Sequence, residues 1–291
     1  MFKGSFVATI TPFRNGAVDE RGFQNFIAWQ IEQGTHGLVP CGTTGESPTL
    51  SHKEHKRVVD LCLDVAKGKV PVIAGAGSNS TAEAIDLTRH AKEAGADAAL
   101  IVTPYYNKPT QEGLYQHFKA IHDAVDLPII IYNIPPRSVV DMSVATMARL
   151  AKLKNIIGVK DATMDLARPL RTRLAIGPEF CQLSGEDITV VPYLSQGGHG
   201  CISVTANIAP RLCADLHEAW RRGDLKTVAQ VNERLAPLHD AMFCEASPGP
   251  VKYASSLLGK TTAETRLPLC EIAAESKERV AQAMRGAGLI N

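Results

Sequence analysis

The run Ile156-Ile157-Gly158-Val159-Lys160-Asp161-Ala162 puts one lysine inside an otherwise apolar stretch. Side chains alternate along a strand, so Ile156, Gly158, Lys160 and Ala162 share one face. If that face points inward, Lys160 sits between a branched apolar residue and two small ones, and Gly158 and Ala162 leave room for a ligand. An ordinary lysine is almost wholly ammonium at neutral pH, but withdrawal from water disfavours the charged form. The resulting amine attacks carbonyl groups and forms Schiff bases. The same run also suits a strand-end lysine paired with Asp161 or Glu186.

Other groups fit such chemistry. Tyr132, Thr43, Thr44 and Tyr106 bring hydroxyls to the ends of neighbouring apolar runs. A tyrosine tied to a threonine can pass the protons that a Schiff-base cycle moves, although each of these residues also suits packing or loop capping. Arg137 follows the stiff pair Pro135-Pro136, where a guanidinium can clamp a carboxylate or simply be solvated. The backbone N–H groups of Gly197-Gly198-His199-Gly200, and of Gly185, are candidate anion donors, with tight packing as the alternative. His52 and His55 fall one turn apart without a third ligand of suitable spacing, so no metal site is expected. There is no Ser-His-Asp elbow, P-loop or metal-hydrolase motif.

These residues close eight short apolar runs: Phe6–Ile10, Gly37–Cys41, Val70–Ala74, Ala98–Val102, Pro128–Tyr132, Ile156–Lys160, Cys181–Ser184 and Cys201–Val204. Runs apolar nearly throughout suit parallel strands covered on both faces. The segments between them read as helices. Ser51-His52-Lys53-Glu54 and Ser80-Thr81-Ala82-Glu83 have the capping-box pattern, and Gly34, Gly68 and Gly95 mark helix ends. Eight such units predict an α/β fold, a (β/α)8 TIM barrel, whose catalytic groups lie at the C-terminal ends of the strands. A doubly wound sheet would want a glycine-rich nucleotide turn after the first strand, but Ile10-Thr11-Pro12-Phe13 stands there. Only helical patterns follow the eighth run. The expected division is a catalytic barrel over residues 1–224 and a C-terminal helical extension over residues 225–291.

Composition narrows the function classes. Among 291 residues, 31 Lys and Arg balance 30 Asp and Glu, which argues against nucleic-acid or polybasic membrane binding. Hydrophobic residues are 45% and charged residues 21%, as in a globular enzyme. The 7 cysteines are widely spaced without Cys-x-x-Cys, the usage of a reducing compartment. The N-terminus lacks a signal-peptide layout. The uncharged stretch 188–210 is too broken by Pro192, Gly197, Gly198, Gly200 and Pro210 to span a bilayer.

Taken together, Gly42-Thr43-Thr44-Gly45-Glu46, the run Tyr132-Asn133-Ile134-Pro135-Pro136-Arg137 and Gly158-Val159-Lys160-Asp161-Ala162 resemble the dihydrodipicolinate synthase family of pyruvate-dependent lyases and aldolases. The likeness extends from Phe2 to about Leu289. Thr103-Pro104-Tyr105-Tyr106-Asn107 and the paired threonines favour the synthase branch.

The resemblance implies a lyase that condenses pyruvate with L-aspartate 4-semialdehyde, the committed step of lysine biosynthesis through diaminopimelate. Lys160 would form the Schiff base. Tyr132, Thr43 and Tyr106 would relay protons, with Tyr106 reaching into a neighbouring subunit. Thr44 would bind pyruvate's carboxylate, Arg137 that of the second substrate, and Gly185 and Ile202 would line the pocket. Ser47, His52, His55, Asn79, Glu83 and Tyr105 match positions that bind the effector L-lysine in inhibited members. A cytoplasmic homotetramer, a dimer of dimers, is implied, with no cofactor or metal and no nucleic-acid or membrane partner. Two departures are visible: Asp161 stands where Glu is commoner, and Pro48 where a small residue is common. Three alternatives stay open. One is a sister lyase acting on sialic acid or a keto-deoxy sugar acid, which would lack the Arg137 clamp. Another is a non-catalytic small-molecule-binding relative, which would have lost Lys160 or Tyr132. The third, a metal-dependent barrel enzyme, is poorly supported by the number and spacing of the histidines.

Overall fold

The computed structural model describes all 291 residues. Ten strands occur in chain order: β1 (Gly4–Ala8), β2 (Phe13–Arg14), β3 (Ala17–Val18), β4 (Gly37–Val39), β5 (Ile73–Gly75), β6 (Ala98–Val102), β7 (Ile129–Asn133), β8 (Ile156–Asp161), β9 (Cys181–Ser184) and β10 (Gly200–Ser203). Eight form one sheet in the order β4-β1-β10-β9-β8-β7-β6-β5. The pairings within it are parallel, and a parallel bridge between Leu38 and Val72 joins β4 to the residue before β5. This is the expected nearly closed (β/α)8 barrel, followed by C-terminal helices.

All eight predicted strands are present, two of them (Ala98–Val102 and Cys181–Ser184) with the expected ends and six with shifted ends. β5 begins after Pro71, which has no N–H to give to a ladder. The small antiparallel pair β2–β3 was not anticipated. Asn15 and Gly16 turn the chain between its strands with φ of 54° and 80°. Two successive positive φ values are what a type I′ hairpin demands, and Asn-Gly supplies them.

Twelve helices accompany the strands. Those among the barrel strands are α1 (Glu20–Glu32), α2 (His52–Ala66), α3 (Thr81–Ala94), α4 (Gln111–Ala124), α5 (Pro135–Ser138), α6 (Val144–Leu150), α7 (Arg168–Ile176) and α8 (Val190–Ser195). After the last strand come α9 (Pro210–Arg222), α10 (Leu225–Met242), α11 (Gly249–Leu257) and α12 (Ala274–Gly286). Ser51 caps α2 as expected: its Oγ accepts from the Glu54 N–H at 3.2 Å, and Glu54 accepts from the Ser51 N–H at 2.9 Å. The second expected capping box does not form. Ser80 makes no side-chain cap on α3, and Glu83 instead accepts from the Ser78 hydroxyl, which itself accepts from the Ser80 N–H. Ser78 thus accepts the Ser80 N–H that Glu83 was expected to accept.

The chain forms two compact units. One comprises Met1–Lys3 and Ile73–Ile202, the other Gly4–Val72 and Ser203–Asn291. In the first, Ala99, Ile101, Ile129, Ile130, Ile131 and Leu183 are fully buried. In the second, Phe23, Ile27, Leu38, Val58 and Leu238 play that part. All seven cysteines are free thiols, and no helix is long and apolar enough to cross a membrane.

Candidate functional site

In the first unit, β7 and β8 pair with Tyr132 opposite Lys160. Lys160 is 6% exposed, and its Nζ lies 4.1 Å from the centre of the Tyr132 ring. It makes no ion pair. Asp161 points to the other side of the strand, accepts from the Thr163 N–H at 2.8 Å and lies 3.5 Å from the Arg168 guanidinium. The lysine is therefore buried against an aromatic face with its charge uncompensated by a bonded carboxylate, which sets aside the pairing with Asp161 or Glu186.

Glycines around Lys160 have different tasks from those expected. A Cβ on Gly158 would fall 2.4 Å from the Cys181 carbonyl oxygen, so this glycine lets β9 approach β8 and does not open a ligand space. A Cβ on Gly185 would fall 2.8 Å from the Ala162 Cβ and 3.2 Å from the Lys160 Cε. Gly185 is thus what admits the lysine stem. Its N–H donates to the Asp161 carbonyl at 2.6 Å and is not free for an anion. The N–H groups of Gly197, Gly198 and His199 donate to the carbonyls of Leu194, Tyr193 and Gln182, so that loop is no anion cradle either.

Next to Gly185, burial pushes the Glu186 carboxyl up to about 7, against the opposing pull of Lys160 and with help from Asp187 and Asp161. A small open pocket adjoins it, lined among others by Asp161, Thr163, Glu186 and Tyr193. Ile202 is fully buried in β10. Arg137 is exposed in the one-turn helix α5. Tyr106 is 90% exposed with φ 71°, a side chain that this chain alone does not cover. Of the expected effector residues in this unit, Asn79 donates to the Tyr105 carbonyl at 3.1 Å, and Glu83 is held by Ser78.

In the second unit, Thr43 and Thr44 occupy the turn after β4. The Gly45 and Glu46 N–H groups return to the Gly42 and Thr43 carbonyls, both at 3.1 Å. Cys41 and Glu46 bracket the turn with φ of 57° and 55°. Ser47 begins the 3₁₀ turn Ser47–Thr49. His52 is exposed and His55 buried, so they do not offer an open pair of imidazoles.

One constellation went unread in the sequence. The Glu46 carboxylate meets the Lys252 ammonium at 2.6 Å, with both side chains almost wholly buried, and accepts from the Arg266 N–H at 3.0 Å. Its partners lie 206 and 220 residues along the chain, and no local pattern marks such a pair.

A profile of the dihydrodipicolinate synthetase family matches residues 1–287. The chain is 69% identical, over the full length of both, to a 4-hydroxy-tetrahydrodipicolinate synthase of Rhodospirillum centenum. Among solved structures it is similar to the chloride-inhibited dihydrodipicolinate synthase of Acinetobacter baumannii complexed with pyruvate, with 46% identity, a TM-score of 0.97 and 100% of each chain covered. It is also similar to the enzyme of Cyanidioschyzon merolae with lysine bound, with 38% identity, a TM-score of 0.96 and 99% of each chain covered.

Proposed function

The chain belongs to the dihydrodipicolinate synthetase family, and on that premise we propose that it condenses pyruvate with L-aspartate 4-semialdehyde, the 4-hydroxy-tetrahydrodipicolinate synthase reaction. The observation that carries the mechanism is Lys160, buried on the Tyr132 ring and without a carboxylate partner. Its amine attacks C2 of pyruvate, and the carbinolamine loses water to give the imine. The imine draws electrons from the pyruvate methyl group, which gives up a proton and becomes an enamine carbon. That carbon bonds to the aldehyde carbon of the second substrate, whose oxygen takes up a proton. The substrate's own amine then displaces Lys160 and closes the ring. The imine is the electron sink, so the cycle calls for no metal or organic cofactor, and EDTA should leave the rate unchanged.

Each cycle moves several protons, and Tyr132, with Thr43 and Tyr106, is assigned to them. Thr44 is assigned to the pyruvate carboxylate and Arg137 to that of the semialdehyde, where a planar guanidinium suits a bidentate pair. Gly185 and Ile202 line the pocket. Arg137 separates this reading from a sugar-acid lyase, whose second substrate asks for hydroxyl contacts. The exposure of Tyr106, together with Leu170 and Leu174 open on α7, supports a homotetramer in which Tyr106 enters a neighbour's site. Seven free cysteines support a cytoplasmic location. L-lysine is proposed as an inhibitor held by Ser47, His52, His55, Asn79, Glu83 and Tyr105. The Asn79 contact to the Tyr105 carbonyl supports this, since Tyr105 adjoins Tyr106.

Pyruvate and borohydride together should inactivate the protein and add one label at Lys160, read by peptide mass mapping. A label on another lysine would overturn the mechanism. L-lysine should inhibit partially without competing with pyruvate, and Glu83→Ala should relieve it. Inhibition unchanged in Glu83→Ala would move the effector elsewhere.

A further inference from the structure

The Thr43-Thr44 turn is an unusual place for the chain to rest. Cys41 and Glu46, which flank it, both lie in the left-handed region at φ of 57° and 55°. Residues with a Cβ are strained there and stay only when the surroundings leave them no alternative. On one side the surroundings are the segment after β1. The Thr11 hydroxyl donates to the Gly45 carbonyl at 2.7 Å, and a Cβ on Gly45 would fall 3.0 Å from the Thr9 carbonyl oxygen.

On the other side the restraint comes from the C-terminal segment, from α11 and from the stretch between α11 and α12. Glu46 is 2% exposed, and both of its carboxylate oxygens are taken. Oε1 accepts from Lys252 at 2.6 Å and Oε2 from the Arg266 N–H at 3.0 Å. Lys252 is fully buried in α11, with its Nζ 4.1 Å from the centre of the Phe13 ring. The Arg266 guanidinium lies 4.3 Å from the same ring centre. It donates to the Thr49 carbonyl at 2.9 Å, to the Gly16 carbonyl at 2.8 Å and to both oxygens of Glu54. Burial pulls the Lys252 ammonium below the ordinary lysine value, and Glu46 pulls it back. A buried ion pair seldom stabilises more than apolar side chains of the same volume would. What it does supply is direction. The Glu46 backbone as placed lets its carboxylate reach Lys252 Nζ and the Arg266 N–H together.

We propose that Glu46, Lys252 and Arg266 form a clamp through which the C-terminal segment fixes the Thr43-Thr44 turn, so that Lys252 and Arg266 are positioning residues for the reaction. The clamp rests on the roles given to Thr43 and Thr44 above. Lys252 touches no substrate. It acts through Glu46, and Glu46 through the backbone three residues from Thr43 and two from Thr44.

A merely structural pair and a positioning clamp differ in one measurable way. If the pair only stabilises the fold, activity per folded site follows stability. If it positions the turn, the two separate. The test compares Lys252→Met and the double variant Glu46→Gln with Lys252→Met. Activity is expressed per Lys160 titrated by pyruvate and borohydride, well below the melting temperature. Lys252→Met should melt earlier. The double variant removes both charges and should regain most of the melting temperature. Both should keep a kcat lowered roughly 10- to 100-fold, the scale of small misplacements at a reacting centre, and a raised KM for pyruvate. A double variant with wild-type kcat and KM would overturn the clamp. If Lys252→Met does not fold, the double variant alone carries the test, because it leaves no buried charge unpaired. A raised pyruvate KM there supports the clamp, and unchanged constants overturn it. Wild-type protein that takes no label at Lys160 would instead overturn the reading of the site on which the clamp rests.

Discussion

Lys160 and Lys252 are the same residue type, both buried, in different compact units. Lys252 has a carboxylate at 2.6 Å and is sealed from solvent. Lys160 has only the Tyr132 ring at 4.1 Å and is admitted by a glycine. Pairing suits a buried lysine to holding structure in place, while isolation suits it to the attack on a carbonyl proposed above. The difference therefore lies in the second partner, not in burial.

The comparison is broken most sharply through Tyr132. If the ring served only to pack the Lys160 stem, Tyr132→Phe would keep nearly full activity. If the hydroxyl moves protons, turnover should fall roughly 10²- to 10⁴-fold, the usual worth of a placed acid or base. Steady-state kinetics at saturating pyruvate decides between them.

Stability separates the two lysines next. Lys252→Met leaves the Glu46 carboxylate buried and unpaired, and should cost about 3–5 kcal/mol. Lys160→Met removes a buried lysine whose nearby carboxyl, Glu186, is already favoured in its neutral form by burial. It should abolish Schiff-base formation while raising stability by about 1 kcal/mol, as often happens when a catalytic group is replaced. Urea unfolding of the two variants beside the wild type measures both changes. Equal losses would mean that the two sites hold their lysines in the same way.

The two regions also differ in how far the sequence discloses them. The burial of Lys160 beside Tyr132 is legible because its signal is local, a polar residue in an apolar run read with period 2. The Ser51 capping box is local too, and it forms as read. The Asn15-Gly16 hairpin was equally local, but its strands are two residues each and give no alternation to see. Gly158 and the Gly197–Gly200 loop were misread for a different reason. A glycine signals that something comes close, but not whether it is a ligand or the protein's own backbone. Glu46 and Lys252 were out of reach altogether, since nothing in either neighbourhood points to a partner 206 residues away.

The smallest effect concerns Glu186, which stands beside the unpaired lysine as Glu46 stands against the paired one. Burial raises its carboxyl from 4.5 to about 7, more than Lys160 lowers it. Between these values the folded protein holds a proton that the unfolded chain has released. The stability it contributes is therefore full below pH 4.5 and is lost as the pH rises through 7, by at most about 3 kcal/mol. Glu186→Gln has no such proton to lose. Between pH 5 and pH 8 the variant should lose less unfolding free energy than the wild type, measured as the difference between their two urea series. Identical pH dependence would mean that Glu186 ionises like an ordinary glutamate, with its charge met by Lys160. Lys160 would then be a paired lysine after all, and the contrast with Lys252 would fall.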